Sequence, residues 1–276
     1  QNFLVTDNLA LGPNDVDSFT ITAPQHSDLP GGGGYPVTYL DPRTLAVNNY
    51  TTFESDYGDR TLYWHGFDIN VNARLNNGLV LQGGTSTGRG VQEYCDVAAK
   101  LPELFLTGNR TQTSSCDVAE PWLTQFRGLA SYVVPKIDVQ VSATLQAKPG
   151  TLGIAGNTSG TNGGSISANY AAPNVEILQS LGRLPTGGQI NGNTSVNLLL
   201  PGDLYGDRVN QFDLRIAKIL RFGRTKTQVG VDLYNLLNSN PGLTYNETFT
   251  GTGQTWLRPT SILLPRFARF NVTVDF

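Results

Sequence analysis

The sequence predicts an all-β chain: an antiparallel transmembrane β-barrel segment of about eight strands, with short periplasmic turns and long extracellular loops. Three observations predict it. Segments of about ten residues alternate apolar and polar side chains, the period of a strand with two unlike faces. The connections between them alternate strictly between very short and very long. Only 15% of residues are charged, against ~25% in a typical soluble domain. Mean hydropathy is −0.20, and no apolar run is long enough for a transmembrane helix.

The first strand is expected from Gln1 to about Thr6, followed by a Gly/Pro/Asp/Asn-rich connection that includes Gly31–Gly34. The second runs from Arg60 to Leu75. Phe67, Ile69, Val71 and Ala73 take one face, and Asp68, Asn70, Asn72 and Arg74 the other. Asn76-Asn77-Gly78 is a hairpin signal, because Asn and Gly accept the positive φ such turns need. The chain returns along Leu79 to Gly88. A long connection to Pro121 precedes the strand Trp122–Val134, which carries Gln125 and Arg127 on its polar face. Pro135-Lys136 turns the chain into Ile137–Ala147, where Val139, Val141, Ala143 and Leu145 oppose Asp138, Gln140, Ser142 and Thr144.

The longest connection, Lys148 to Asp207, reads as loop, with short runs such as Val196–Leu200 free to pair locally. Arg208–Leu220 sets Phe212, Leu214 and Ile216 against Gln211, Asp213 and Arg215. Lys218 breaks the apolar face near the turn, where a lysine reaches the headgroup layer. After Arg221–Arg224 the strand Thr225–Leu236 sets Val229, Val231 and Leu233 against Gln228 and Asp232. The terminal strand sets Ala268, Phe270, Val272, Val274 and Phe276 against Arg269, Asn271, Thr273 and Asp275. An apolar strand edge invites aggregation unless it is paired. Placing Phe276 on the periplasmic side puts every short turn on that side and every long loop outside.

The formal charge of −3 argues against nucleic acid as a partner. The chain contains no Met and begins in what reads as mid-strand, so it is expected to be the C-terminal part of a longer protein. Cys95 and Cys116 share one polar connection. They read as a loop disulfide in an oxidising compartment, with two unrelated free thiols as the alternative.

No phosphate loop, nucleophile elbow or His-Glu-x-x-His motif occurs, so neither enzymatic activity nor a cofactor is expected. Asp15/Asp17 and Asp203/Asp207 read as solvated loop carboxylates rather than calcium ligands. The loop aromatics Tyr35, Tyr39, Tyr50, Tyr57, Tyr170, Tyr245 and Trp256 suit either capture of a sugar or siderophore or loops that cap one another. Tyr63, Trp64, Trp122, Phe222 and Phe267 lie near strand ends, as an aromatic girdle would.

The stretches Tyr63–Arg74, Leu81–Arg89, Arg208–Gly223, Gln228–Asn238 and Pro265–Phe276 together resemble the C-terminal barrel region of TonB-dependent outer-membrane receptors. The nearest branch carries an N-terminal carboxypeptidase-regulatory-like domain. The likeness spans most of the chain and is tightest from Arg208 on. It implies a place in the bacterial outer membrane, within a barrel of about 22 strands whose lumen is plugged. It further implies TonB-energised import of a bulky ligand, the ligand itself being unspecified. The implied partners are the lipid bilayer, the outer-membrane barrel assembly machinery reading Phe276 as its signal, and TonB acting through an N-terminal region outside this chain. The polar face (Asp68, Asn70, Arg74, Arg127, Asp138, Asp213, Arg215, Asp232, Arg269) would then line the lumen. There it meets a plug or ligand, or is solvated and salt-bridged within itself. Two other readings stand beside this one: a surface binding or adhesion barrel without energised transport, and a soluble secreted carbohydrate-binding β-domain.

Overall fold

The computed structural model describes residues 3–150 and 165–275. Four strands precede the main sheet: β1 (Leu4–Asn8), β2 (Val16–Thr22), β3 (Pro36–Pro42) and β4 (Asn49–Phe53). β1 pairs with β4 and β2 with β3, both antiparallel. The hairpin β5 (Thr61–Arg74) and β6 (Val80–Glu93) follows, then α1 (Cys95–Lys100) and the short β7 (Asp117–Ala119). A second hairpin joins β8 (Leu123–Val134) to β9 (Val139–Gly150). β10 (Asn169–Pro173), α2 (Asn174–Leu181) and β11 (Asn193–Asn197) lead into the third hairpin, β12 (Gly206–Phe222) and β13 (Thr225–Tyr234). β14 (Gly242–Tyr245), β15 (Thr248–Phe249) and β16 (Pro259–Ile262) precede the last strand, β17 (Phe267–Asp275).

Seven of these strands form an antiparallel wall in the order β17-β13-β12-β9-β8-β6-β5, with β7 attached to β6. Each wall strand therefore lies beside the wall strand that precedes or follows it in the chain. The three tight turns fall at one end and the long connections at the other. Gly223 takes φ 61° in the tightest turn, where Phe222 pairs directly with Thr225. A one-residue slip would exchange the faces of any strand, so the register is informative. Ala73, Leu81, Ala130, Ala143, Leu214, Leu233 and Ala268 stand opposite one another in one row across all seven strands. Arg74, Val80, Ser131, Ser142, Arg215, Asp232 and Arg269 form a neighbouring row on the other face. At the end of β13, Asn235 and Asn238 take positive φ (49° and 53°), which Asn tolerates better than most residues. Asn235 donates to Ser239 O and Leu264 O (both 2.8 Å), and Asn238 Oδ1 accepts from Arg266 N (2.9 Å). This corner fixes where the chain leaves β13 and where it re-enters β17.

The buried core lies in the long connections, which pack together as a cap. Phe19, Ile21, Val37 and Tyr39 from β2 and β3 pack with Ile177, Val196 and Leu198 and with Phe249 and Trp256. Burying a side chain the size of Phe19 or Leu198 contributes about 1.5–3 kcal/mol. The disulfide Cys95–Cys116, with Cα atoms 4.9 Å apart, closes the connection after β6.

The structure bears out an all-β, antiparallel chain and corrects several finer expectations. Among the described residues the wall does not close: β5 and β17 are both edges. The expected first wall strand is not in the wall. β1 is five residues long and packs Val5 against Val97 and Leu101 beside α1, so it serves the cap. The connection Lys148–Asp207 contains β10, α2 and β11, and Val196 pairs with Tyr170 within it. Asp138 lies in the β8–β9 turn with φ 48°, outside the strand; the alternating pattern ran on into the turn and concealed its start. Phe276 and the Gly163-Gly164 stretch lie outside the described residues.

Candidate functional surface: the polar face of the wall and the cap

The wall presents two unlike surfaces. On one face, apolar side chains lie open along the strands: Phe67, Ile69 and Val71 on β5, Phe126 on β8, Ile216 on β12, Val229 on β13, and Phe270 and Val272 on β17. Phe270 is 81% exposed and Val272 65%. On the other face, Asp68, Asn70 and Arg127 line a shallow trough of about 480 Å³ with Asn72, Gln82, Ser86 and Gln125. Arg74 stands exposed at the turn end of the same face.

Farther along the polar face, Asp232 is held between two arginines. Arg269 Nη2 donates to its Oδ2 at 2.9 Å, and Arg215 Nε lies 3.7 Å from its Oδ1. Arg215 also donates to Asn271 (3.1 Å), and the Arg269 guanidinium stands over the Tyr234 ring (5.3 Å). Asp213 forms a separate centre, accepting from Gln211 Nε2 (2.9 Å) and from Asn235 N (2.8 Å). Asp138, at the turn end, pairs with Arg221 (2.9 Å). The nine polar residues anticipated from the pattern thus divide into a trough, an Arg–Asp–Arg bridge, the Asp213 centre, the lone Arg74 and a turn pair.

The strand-end aromatics divide between faces. By alternation Tyr63, Trp122 and Phe222 share the apolar face, whereas Trp64 and Phe267 lie on the polar one. The Trp64 indole lies over Gly66 and Gly88, where a Cβ on either glycine would come within about 2.1 Å of the ring. Phe267 stacks on Tyr234 with ring centroids 4.7 Å apart.

In the cap, five charged side chains from three connections form one network. Asp41 is fully buried (0% exposed) and pairs with Arg110 (2.7 Å) and Arg183 (2.6 Å). Arg183 also pairs with Asp17 (2.8 Å), and Asp17 with Arg43 (2.6 Å). Hydrogen bonds from Arg43 and then Arg183 hold the Asp17 carboxyl far below the ordinary carboxylate range. Arg110 donates to Leu40 O and stands over the Phe19 ring. Nothing in the local sequence marked Asp41, Arg110 or Arg183, since each lies in a separate connection, far along the chain from the other two.

Most of the loop aromatics cap one another. Tyr39 OH donates to Asn197 O and Tyr35 OH to Leu198 O, both at 2.9 Å. Burial pushes the Tyr35 phenol up to about 12 and the Tyr39 phenol higher still, so both remain donors. A hydrogen bond to Asp7 pushes Tyr57 up to about 12. Trp256 Nε1 donates to Ser167 O (2.9 Å). Tyr50, by contrast, stays exposed. Of the carboxylates expected in loops, Asp203 accepts from Leu200 N (2.7 Å), whereas Asp207 lies at the start of β12 and accepts from Gly242 N (3.1 Å). Burial raises the pKa of Asp203. No group of three or more His, Cys, Asp or Glu suited to a metal ion occurs among the described residues. Compared with protein-family models, curated proteins and solved structures, the chain finds no match.

Proposed function

We propose that this chain is barrel wall and outer loops of a TonB-dependent outer-membrane receptor, which takes up a bulky ligand. The observation that carries the reading is the apolar face of the wall, which runs uncovered across seven strands while the same molecule buries a core elsewhere. A soluble sheet packs such a face against a second layer; a barrel strand turns it toward lipid. The wall strands are 9 to 17 residues long, enough for the roughly 9–11 residues a tilted membrane strand needs. Turns at one end and folded loops at the other suit a periplasmic and an outer side. The open edges of β5 and β17 suit further strands of a larger barrel, because backbone polar groups inside a bilayer must all be paired. The chain acts by capture and passage rather than by bond chemistry, and its partners are the bilayer, the barrel assembly machinery and TonB.

Fractionation of bacteria that make the natural full-length protein tests this. It should sediment with the outer membrane, resist high salt, and enter solution only with detergent. Release into buffer alone would overturn the membrane reading. A detergent-requiring protein that does not cross-link to TonB would instead be a binding or adhesion barrel without energised transport.

A further inference from the structure

The apolar face changes character at its cap end. Arg89 on β6 pairs with His65 across the hairpin and shares that face. Its guanidinium stands 6.0 Å from the Trp122 ring centroid, and its Nε is buried without a hydrogen-bond partner. Arg208 reaches the same rim from β12, its Nη2 donating to Thr124 O (2.6 Å) and Ala147 O (3.2 Å). Below this rim the face of β5, β6 and β8 carries no charged residue. It does carry a dent. Gly83 and Gly128 stand opposite each other, and a Cβ on Gly128 would meet nothing within 4 Å. Val71, Leu81, Leu145 and Phe212 surround them in an apolar groove of about 360 Å³.

The spacing between rim and dent matches one lipid leaflet. Arg89 to Gly83 is about 20 Å along the strand. At a barrel strand's tilt of about 40° that is ~15 Å of depth, half of the ~30 Å hydrocarbon core. We propose that this face binds one phosphate-bearing lipid of the outer leaflet, its phosphate held by Arg89 and Arg208 and one acyl chain seated over Gly83 and Gly128. Guanidinium groups suit phosphate because their fork of donors matches its oxygens, and Trp122 offers an amphipathic ring at headgroup level. The inference rests on the membrane reading above and names one lipid at that surface.

Native mass spectrometry of the full-length protein in detergent tests it, with dimyristoylphosphatidylglycerol and dimyristoylglycerol as probes of equal chain length. The phosphate-bearing probe should be retained and the diacylglycerol lost. Arg89→Gln and Arg208→Gln should each weaken retention about fivefold, the effect expected of one basic residue facing an anionic lipid. Gly128→Leu, which fills the dent at an open position, should weaken it as well. Arg127→Gln, on the opposite face, should leave it unchanged. Equal retention of both probes, indifference to both rim substitutions, or an equal loss with Arg127→Gln would overturn the proposal. If Arg89→Gln fails to fold, Arg208→Gln and Gly128→Leu decide the matter. A protein that needs no detergent at all refutes the membrane reading rather than the lipid site alone.

Discussion

Phe270 on β17 is 81% exposed, and Phe249, in the connection just before it, is 1% exposed. The two residues stand for two regions that follow opposite rules. In the cap, apolar side chains are buried, phenols and an indole donate to backbone carbonyls, and Asp41 is sealed between arginines. In the wall, the apolar side chains stand open while the polar ones bond across strands. The cap is built for water outside and oil inside. The wall shows the opposite pattern: its apolar face is uncovered, and backbone pairing rather than a core holds its strands together. The contrast argues against treating the exposed face as poor packing, because the same chain packs well where it needs to.

Four perturbations test that contrast. The largest effect is expected at Asp41. Asp41→Ala leaves the buried Arg110 without its carboxylate and should destabilise the cap by about 3–5 kcal/mol. Proteolysis should then cut the connections first while the wall hairpins survive. Simultaneous loss of cap and wall would mean that they are one cooperative unit.

The disulfide comes next. Peptide mapping without reduction should recover Cys95 joined to Cys116, and Cys95→Ser should cost about 3 kcal/mol for a loop of this length. That cost should fall on the cap.

In the wall, Val231→Arg places a charge in the middle of β13 and should cost about 2–4 kcal/mol in a bilayer. Val141→Arg shares its row across β12 but lies next to the β8–β9 turn, so about 0–1 kcal/mol is expected there. Gln82→Arg, in the polar trough, should be tolerated. Detergent-to-lipid refolding titrations read all three, and equal penalties would erase the distinction between faces.

The smallest effect is a pH dependence. The Asp17 pKa is depressed, so its contribution is complete above the ordinary carboxylate value near 3.8 and is lost as pH falls through the lower folded value. Acid loosening of the cap should therefore begin below about pH 4, and Asp17→Asn should flatten that limb. Cap fluorescence followed against pH checks it; an unchanged acid limb in the variant would assign the transition to other groups.

Legibility in the sequence follows the same division. Wall strands were readable because a period of two is local: Val139, Val141, Ala143 and Leu145 declare a face with no knowledge of their neighbours. Turn chemistry was local too, as at Asn76-Asn77-Gly78. The cap was not readable, because its contacts join residues far apart in the chain. Arg183 meets Asp41 across 142 positions, and neither carries a local signature. Period-two reasoning also failed at strand ends. It drew Asp138 into a strand that begins at Val139. Nearness to a strand end, rather than alternation, put Trp64 in a girdle; alternation places it on the polar face, where the glycines at 66 and 88 give its ring a bed.

In the reading proposed above, the two faces of the wall meet two different solvents. Nitroxide labels placed singly along β9 in the membrane-embedded full-length protein test it most directly. Labels at Val141, Ala143 and Leu145 should be relaxed by oxygen, which concentrates in lipid. Labels at Gln140, Thr144 and Gln146 should be relaxed by a water-soluble nickel chelate. Alternation with a period of two is the predicted result; equal access of the nickel chelate to both sets would contradict it.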